Sequence, residues 1–254
     1  MELLNAQPAS EIGTNKQLTL FLVGWLGLWV FALFFSMIGQ IILPNFLSSE
    51  VFEAYISSDQ YFNLINFLTY LSLLMIGVVL LFPFIQRTLL PALQSMKWAL
   101  GLPFTFLILF SNYSLVSLYS YLGIILEDNQ NQAAIVLLVK DAPLISLITF
   151  GFLGPIVEEW TYRLGLFQYL KNRNRVLAYI ITLTVFGLIH FDFTSTNLVN
   201  ELFNLPMYLI AGAWFCFLYD RFGLKTAMAT HITNNLLSVL VILATPGSSA
   251  ISSS

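Results

Sequence analysis

Long apolar runs, separated by short polar stretches, dominate this sequence. A run of about 20 apolar residues is long enough for a helix to cross the hydrocarbon core of a bilayer. The chain is 58% hydrophobic and only 9% charged, whereas a soluble domain usually carries roughly 25% charged residues. The sequence therefore predicts an all-α fold, a polytopic transmembrane helical bundle of seven to eight helices, rather than a barrel of short alternating strands.

The apolar runs define the individual spans. The seven predicted spans are 18–43, 62–85, 98–126, 142–170, 176–191, 198–219 and 224–244. Residues 133–139 are apolar but too short to cross, and we expect an interfacial or re-entrant helix there. Asp141 and Pro143 favour a helix start, as a capping side chain and a first-turn proline. Further along this span, Gly154-Pro155 predicts a kink because Pro155 has no backbone N–H to donate to the preceding turn.

The polar segments divide the chain into four parts. We expect an N-terminal arm at 1–17, three spans within 18–132, a C-terminal group of spans within 133–245 and a polar tail at 246–254. Most Lys and Arg residues fall in alternate connections, and basic connections face the cytoplasm. The pattern predicts an integral, multi-pass membrane protein whose N-terminus is on the cytoplasmic side. The net charge of −3, with no basic stripe, argues against nucleic acid as a partner.

A charged stretch, Glu158 to Arg163, interrupts the fourth predicted span. A charge at membrane depth costs a few kcal/mol on insertion scales, so it is kept where it has partners or a water-filled cavity. Glu159 and Arg163 are four residues apart, so they share a helix face and can form an ion pair. Glu158 is rotated by about 100° from Glu159 and is expected to face elsewhere, which leaves it available for chemistry.

Three further polar residues lie in the last predicted spans: His190, His231 and Asn235. At about 1.5 Å per helical residue, these residues and Glu158 lie roughly 10 to 21 Å from the inner ends of their spans. They can therefore converge within a hydrocarbon core of about 30 Å. A carboxylate in such a site can activate water, and histidine and asparagine donors can stabilise the oxyanion formed when water attacks an amide.

Other readings of this polar group stay open at this point. The sequence contains neither a His-Glu-x-x-His zinc motif nor a Gly-x-Ser-x-Gly elbow. Two histidines and a glutamate can in principle bind zinc, but Glu159 is expected to pair with Arg163 and the histidines lack a familiar spacing. The cluster can also be a structural network that holds the bundle together, without any catalytic role.

The polar residues form three motifs on three separate spans, Glu158-Glu159-x-x-x-Arg163, Phe186-x-x-x-His190 and His231-x-x-x-Asn235. In order and in spacing they resemble the motifs of the CPBP intramembrane protease family, also called the CAAX protease and bacteriocin-processing, or Abi, family. The resemblance covers about residues 133–245, which would form the CPBP-like catalytic core, whereas the first three spans match only in being hydrophobic.

The resemblance implies a bundle of about eight helices with a cavity open to one side. It implies that Glu158 activates water with the assistance of His190, and that His231 and Asn235 form an oxyanion hole. No metal and no other cofactor would be required. The implied function is an intramembrane endopeptidase that cleaves a peptide or a membrane-associated protein.

The resemblance also assigns supporting roles. Glu159 and Arg163 would form a structural pair beside the catalytic glutamate, and Phe186 would pack near the catalytic histidine. The expected partners are membrane lipids and a peptide or membrane-protein substrate. The alternative is a non-proteolytic scaffold or chaperone of the same family that binds another membrane protein.

Overall fold

A computed structural model describes residues 12–91 and 96–245. Within these ranges the chain forms nine helices and no strand. Six of the helices are long and apolar enough to cross a membrane. The all-α, multi-pass prediction is confirmed, whereas the predicted count of seven to eight spanning helices is not. Most of the predicted N-terminal arm and the whole predicted tail lie outside the described residues.

The nine helices follow one another along the chain. They are α1 Thr14–Ile42, α2 Ser49–Ile56, α3 Asp59–Phe84, α4 Leu102–Tyr121, α5 Gln130–Asp141, α6 Pro143–Lys171, α7 Arg175–Leu188, α8 Leu198–Phe222 and α9 Leu224–Ala244. A 3-10 segment at Met96–Gly101 leads into α4, so the backbone changes its winding within the predicted span 98–126. The six candidate spans are α1, α3, α4, α6, α8 and α9.

Two of the shorter helices account for the difference from the predicted count. Helix α7 has 14 residues and occupies most of the predicted span 176–191, but about 20 residues are needed to cross the hydrocarbon core. Helix α5 has 12 residues and is also too short to cross, as the sequence predicted.

The connection between α5 and α6 differs from the prediction. Asp141 is the last residue of α5, and α6 begins after Ala142 without a side-chain cap, so the predicted capping role of Asp141 is wrong. A contact with α3 holds this connection instead. The Asn63 amide donates to the Leu138 carbonyl at 2.9 Å and accepts from the Ser146 hydroxyl at 2.9 Å. A buried amide on a distant helix therefore joins the end of α5 to the start of α6.

Helix α6 lies at the centre of the bundle and changes its winding along its length. Within its most apolar window 61% of the residues are buried, against 33% for α8, the next highest of the candidate spans. Its turns are π-helical at Thr149–Leu153 and at Glu159–Phe167, and α-helical at Gly154–Glu158. The first π turn directly precedes the predicted kink at Gly154-Pro155. Because a π turn holds an extra residue, side chains beyond it do not follow the spacing of a uniform α-helix.

Helix α1 approaches α6 closely at a glycine. A Cβ atom added to Gly165 would lie 2.8 Å from the backbone nitrogen of Phe21. Backbone atoms cannot move aside as a flexible side chain can, so this glycine sets the distance between the two helices.

We therefore expect Gly165→Ala to destabilise the protein by about 1–3 kcal/mol, the usual range for overpacking, because α1 must separate from α6. The measurement is the thermal midpoint of the purified protein in nanodiscs. Gly13→Ala is the control, since a Cβ atom there would meet nothing within 4 Å. Equal midpoints for Gly165→Ala and wild type would contradict the expected steric role.

Candidate active site

A cavity of about 630 Å³ extends from Glu158, midway along α6, to the connection between α4 and α5. Its lining includes the four residues predicted to be catalytic, which come from α6, from the end of α7 and from α9. These residues are Glu158, His190, His231 and Asn235. Phe186 also lines the cavity, whereas Glu159 and Arg163 lie behind it and are fully buried. The three sequence motifs therefore meet in space.

His231 lies between the two adjacent glutamates. Its Nδ1 atom is 2.8 Å from Glu159 Oε1, and its Nε2 atom is 3.7 Å from Glu158 Oε2. The two carboxylates approach different nitrogens of one imidazole ring, while Glu158 lines the cavity and Glu159 contacts Arg163 behind it.

Glu159 and Arg163 form the predicted ion pair, with 3.3 Å between Glu159 Oε1 and Arg163 Nη1 and with both side chains fully buried. The geometry is that of a charge contact without an aligned hydrogen bond. The guanidinium group also lies over the rings of Phe186 and Phe215, at 4.5 and 5.1 Å from their centroids. These charge and cation–π contacts thus offset the free energy of removing the guanidinium group from water.

Glu158 has a second neighbour on α3. The Tyr70 hydroxyl donates to Glu158 Oε1 at 3.4 Å, on the oxygen that does not face His231. Glu158 is 8% exposed, whereas Glu159 is fully buried, and of the two only Glu158 lines the cavity. Sequence analysis missed Tyr70, because a tyrosine in an apolar run is common and nothing in its spacing points to the motifs.

His190 is oriented by the backbone and by an aromatic ring. Its Nδ1 atom is 2.8 Å from the Phe186 carbonyl oxygen. A carbonyl can only accept, so Nδ1 carries the proton and Nε2 is left as an acceptor in the neutral ring. The ring stacks on Tyr208 with 4.5 Å between centroids and 15° between planes. Phe186 also contacts both histidine rings, at 5.0 Å from His190 and 6.0 Å from His231.

Asn235 is held by a backbone acceptor that Pro155 leaves free. The Asn235 Nδ2 group donates to the Phe150 carbonyl at 3.1 Å. In a π turn the N–H of a residue bonds to the carbonyl five residues earlier, as Gly154 does with Thr149. Pro155 has no N–H, so Phe150, five residues before it, keeps a free carbonyl. An α-helical count would point to Gly151 instead, so the π turn decides which carbonyl orients Asn235.

A polar network at the mouth of the cavity connects three segments around His190. Asn129 precedes α5, donates to the His190 carbonyl at 3.0 Å and accepts from the Tyr208 hydroxyl at 3.1 Å. Glu201, only 1% exposed, accepts from the backbone N–H of Gln130 at 2.8 Å. These bonds join the start of α5 to α8 and to the end of α7.

The loop after His190 is joined to the same network. Glu201 also accepts from the backbone N–H of Asp192 at 3.2 Å. The Asp192 carboxylate accepts from the hydroxyl and the amide of Thr194, and these hydrogen bonds lower the pKa of Asp192 below its usual range. Asp192 therefore remains a charged group at this end of the bundle.

The histidines and glutamates of the site are also potential metal ligands. Within residues 12–91 and 96–245, no group of three or more His, Cys, Asp or Glu side chains could hold a metal ion. The His231 ring lies between the two glutamates, with one ring nitrogen toward each carboxylate.

The apolar helices and the polar cavity define an integral, multi-pass membrane protein with a buried ionisable site. Residues 140–237 match the family described as Rce1-like, Type II CAAX prenyl endopeptidase Rce1-like. This match confirms the resemblance to CAAX-processing intramembrane proteases that the three motifs predicted, and it includes all three of them. No curated protein and no solved structure shows a significant match.

The buried ion pair generates a stability prediction. Arg163→Met removes the cation and leaves the Glu159 carboxylate without its charge partner on α6, which we expect to cost about 3–5 kcal/mol. The double variant Glu159→Gln, Arg163→Met should recover part of this loss, because it leaves no uncompensated charge. Reversible unfolding by SDS in mixed micelles measures both. A single variant as stable as wild type would contradict a role of the pair in holding the bundle.

Proposed function

We propose that this protein is an intramembrane endopeptidase in which Glu158 activates a water molecule that attacks a peptide bond. The observation that carries the proposal is the position of Glu158, a carboxylate at the inner end of an open cavity with His231 on one oxygen and Tyr70 on the other. The family match over residues 140–237 supports the reaction class, a CAAX-type intramembrane protease. The glutamate mechanism and the role of each residue are the finer part of the proposal.

In the proposed reaction Glu158 accepts a proton from water, and the oxygen of that water attacks the carbonyl carbon of the scissile amide. The carbonyl oxygen becomes an oxyanion in the tetrahedral intermediate. Collapse of the intermediate breaks the C–N bond, and the proton held by Glu158 passes to the leaving amine. The neutral ring of His190 offers Nε2 as an acceptor that can position the attacking water.

The proposed oxyanion donors are Asn235 and His231. One N–H of the Asn235 amide is committed to the Phe150 carbonyl, which fixes the amide plane and leaves the second N–H free to donate. His231 donates from Nδ1 to the Glu159 carboxylate, because a carboxylate only accepts. His231 can therefore donate to the oxyanion from Nε2 only when its ring is doubly protonated. The positive charge of that ring would lie between the carboxylates of Glu158 and Glu159.

A non-proteolytic scaffold of the same family is not favoured. A scaffold has no need of an open cavity at the polar cluster, whereas hydrolysis needs room for both water and substrate. Glu127 and Asp128, at the far end of the cavity, are exposed, so the cavity reaches the surface of the protein.

The proposal predicts that Glu158→Gln lowers the cleavage rate by roughly 10²- to 10⁴-fold, the range for loss of a general base, while the protein stays folded. The assay is cleavage of fluorescence-quenched peptides by purified protein in nanodiscs, together with mapping of cut membrane proteins in cells. Glu53→Gln, the same change at an exposed position on α2, is the matched control. A folded Glu158→Gln variant with the wild-type rate would exclude Glu158 as the base.

The oxyanion assignment makes a separate prediction. Asn235→Ala should lower kcat by about 10²- to 10³-fold with little change in KM, because the oxyanion exists in the transition state and not in the bound substrate. Thr233→Ala is the control on α9, since its hydroxyl donates to the Ala229 carbonyl of the same helix. A rise in KM with unchanged kcat would instead assign Asn235 to substrate binding.

A further inference from the structure

Side-chain amides from four helices line the cavity in addition to the predicted site residues. Asn66 is on α3, Asn112 on α4, Gln132 on α5 and Asn234 on α9. Three of these helices, α3, α4 and α9, are candidate membrane spans. Amides are costly at membrane depth unless they are hydrogen-bonded. Their arrangement around one cavity therefore requires an explanation that packing alone does not provide.

Much of the hydrogen-bonding capacity of these amides is unused. The side-chain oxygen of Asn112 is buried and has no hydrogen-bond partner in the part of the chain that the structure describes. Asn66 donates to the Phe62 carbonyl of its own helix, and Asn234 donates to the side-chain oxygen of Asn235. Among the described residues, neither Asn66 nor Asn234 accepts a hydrogen bond on its own side-chain oxygen. Asn66, Asn112 and Asn234 thus line a common cavity, and their side-chain oxygens have no donor among the described residues.

The chemistry of these acceptors restricts what can occupy the cavity. Lipid acyl chains carry no N–H group. A transmembrane helix uses its backbone N–H groups internally and has few to offer. An extended peptide presents unpaired N–H and C=O groups along its length. Apolar side chains between the amides, such as Val116, Ile135 and Val239, can accept the alkyl side chains of such a peptide.

We infer that Asn66, Asn112, Gln132 and Asn234 form a subsite that binds the main chain of an extended stretch of polypeptide. This inference rests on the proposed function, because the subsite shares its cavity with Glu158. The subsite predicts the class of substrate. It is a polypeptide segment that enters the cavity unwound and is recognised more by its backbone than by its side chains. A helical segment must lose its internal hydrogen bonds to bind, and the amides replace part of them.

The test is a double-mutant cycle between enzyme and substrate. The probe is the fluorescence-quenched peptide with the highest Glu158-dependent cleavage rate, compared with variants in which each N–H near the cut site is replaced in turn by an ester oxygen. Each replacement removes one donor and keeps the chain shape. Wild type, Asn112→Leu and the control Val116→Leu are assayed with every substrate. Val116 lines the same face of α4 without a polar group.

We expect one ester substitution to lower kcat/KM of wild type by roughly 2- to 10-fold, the value of one net hydrogen bond. The same substitution should have no effect in Asn112→Leu and its full effect in Val116→Leu. Asn66→Leu provides a second cycle, in which the ester substitution at a different position should no longer lower kcat/KM. Thermal midpoints close to wild type identify the variants that are folded.

The outcomes separate this inference from the proposed function. Equal losses in wild type, Asn112→Leu and Asn66→Leu at every ester position would overturn the main-chain subsite, while Glu158-dependent cleavage would still stand. Cleavage that persists in folded Glu158→Gln, or no Glu158-dependent cleavage of any peptide, would overturn the proposed function and this inference with it.

Discussion

The buried contact of Glu159 with Arg163 and His231 is the interaction on which the rest of the structure depends. Two charged side chains in a bilayer interior are stable only when each has partners. The partners come from three other helices. His231 is on α9, the Phe186 ring is on α7, and α8 contributes the Phe215 ring and the Gly212 carbonyl, 3.5 Å from Arg163. One ionic group on α6 thus brings four helices together.

Helix α6 combines α-helical and π-helical turns along its length. The π turn at Thr149–Leu153 accommodates Pro155 within this buried helix. Pro155 adds a second effect, since its missing N–H leaves the Phe150 carbonyl free for Asn235. The irregular backbone therefore does two things at once. It absorbs a proline within a buried helix, and it aims the side chains that line the cavity.

The cavity is formed jointly by the predicted N-terminal spans, 18–132, and by the predicted C-terminal group of spans, 133–245. The residues that carry the three motifs come from α6 to α9, within the matched region 140–237. Tyr70, Asn66 and Asn112 come from α3 and α4, which lie outside it. The proposed chemistry thus lies in the matched region, whereas the proposed contacts to substrate are shared with helices that were predicted only as hydrophobic spans.

The sequence by itself determined the membrane class, the three motifs and the Glu159–Arg163 pair, because these depend on composition and on spacings within one helix. It did not determine the contact of Glu158 with His231, the contact that joins α5 to α6 or the carbonyl that holds Asn235. Each of these depends on the π turns of α6 or on a partner from another helix. The places of Tyr70, Asn112 and Glu201 in the structure could not be predicted from the sequence, for the same reason. A polar residue in an apolar run acquires a function only when tertiary packing places it against a cavity or a partner, and no local spacing records that contact.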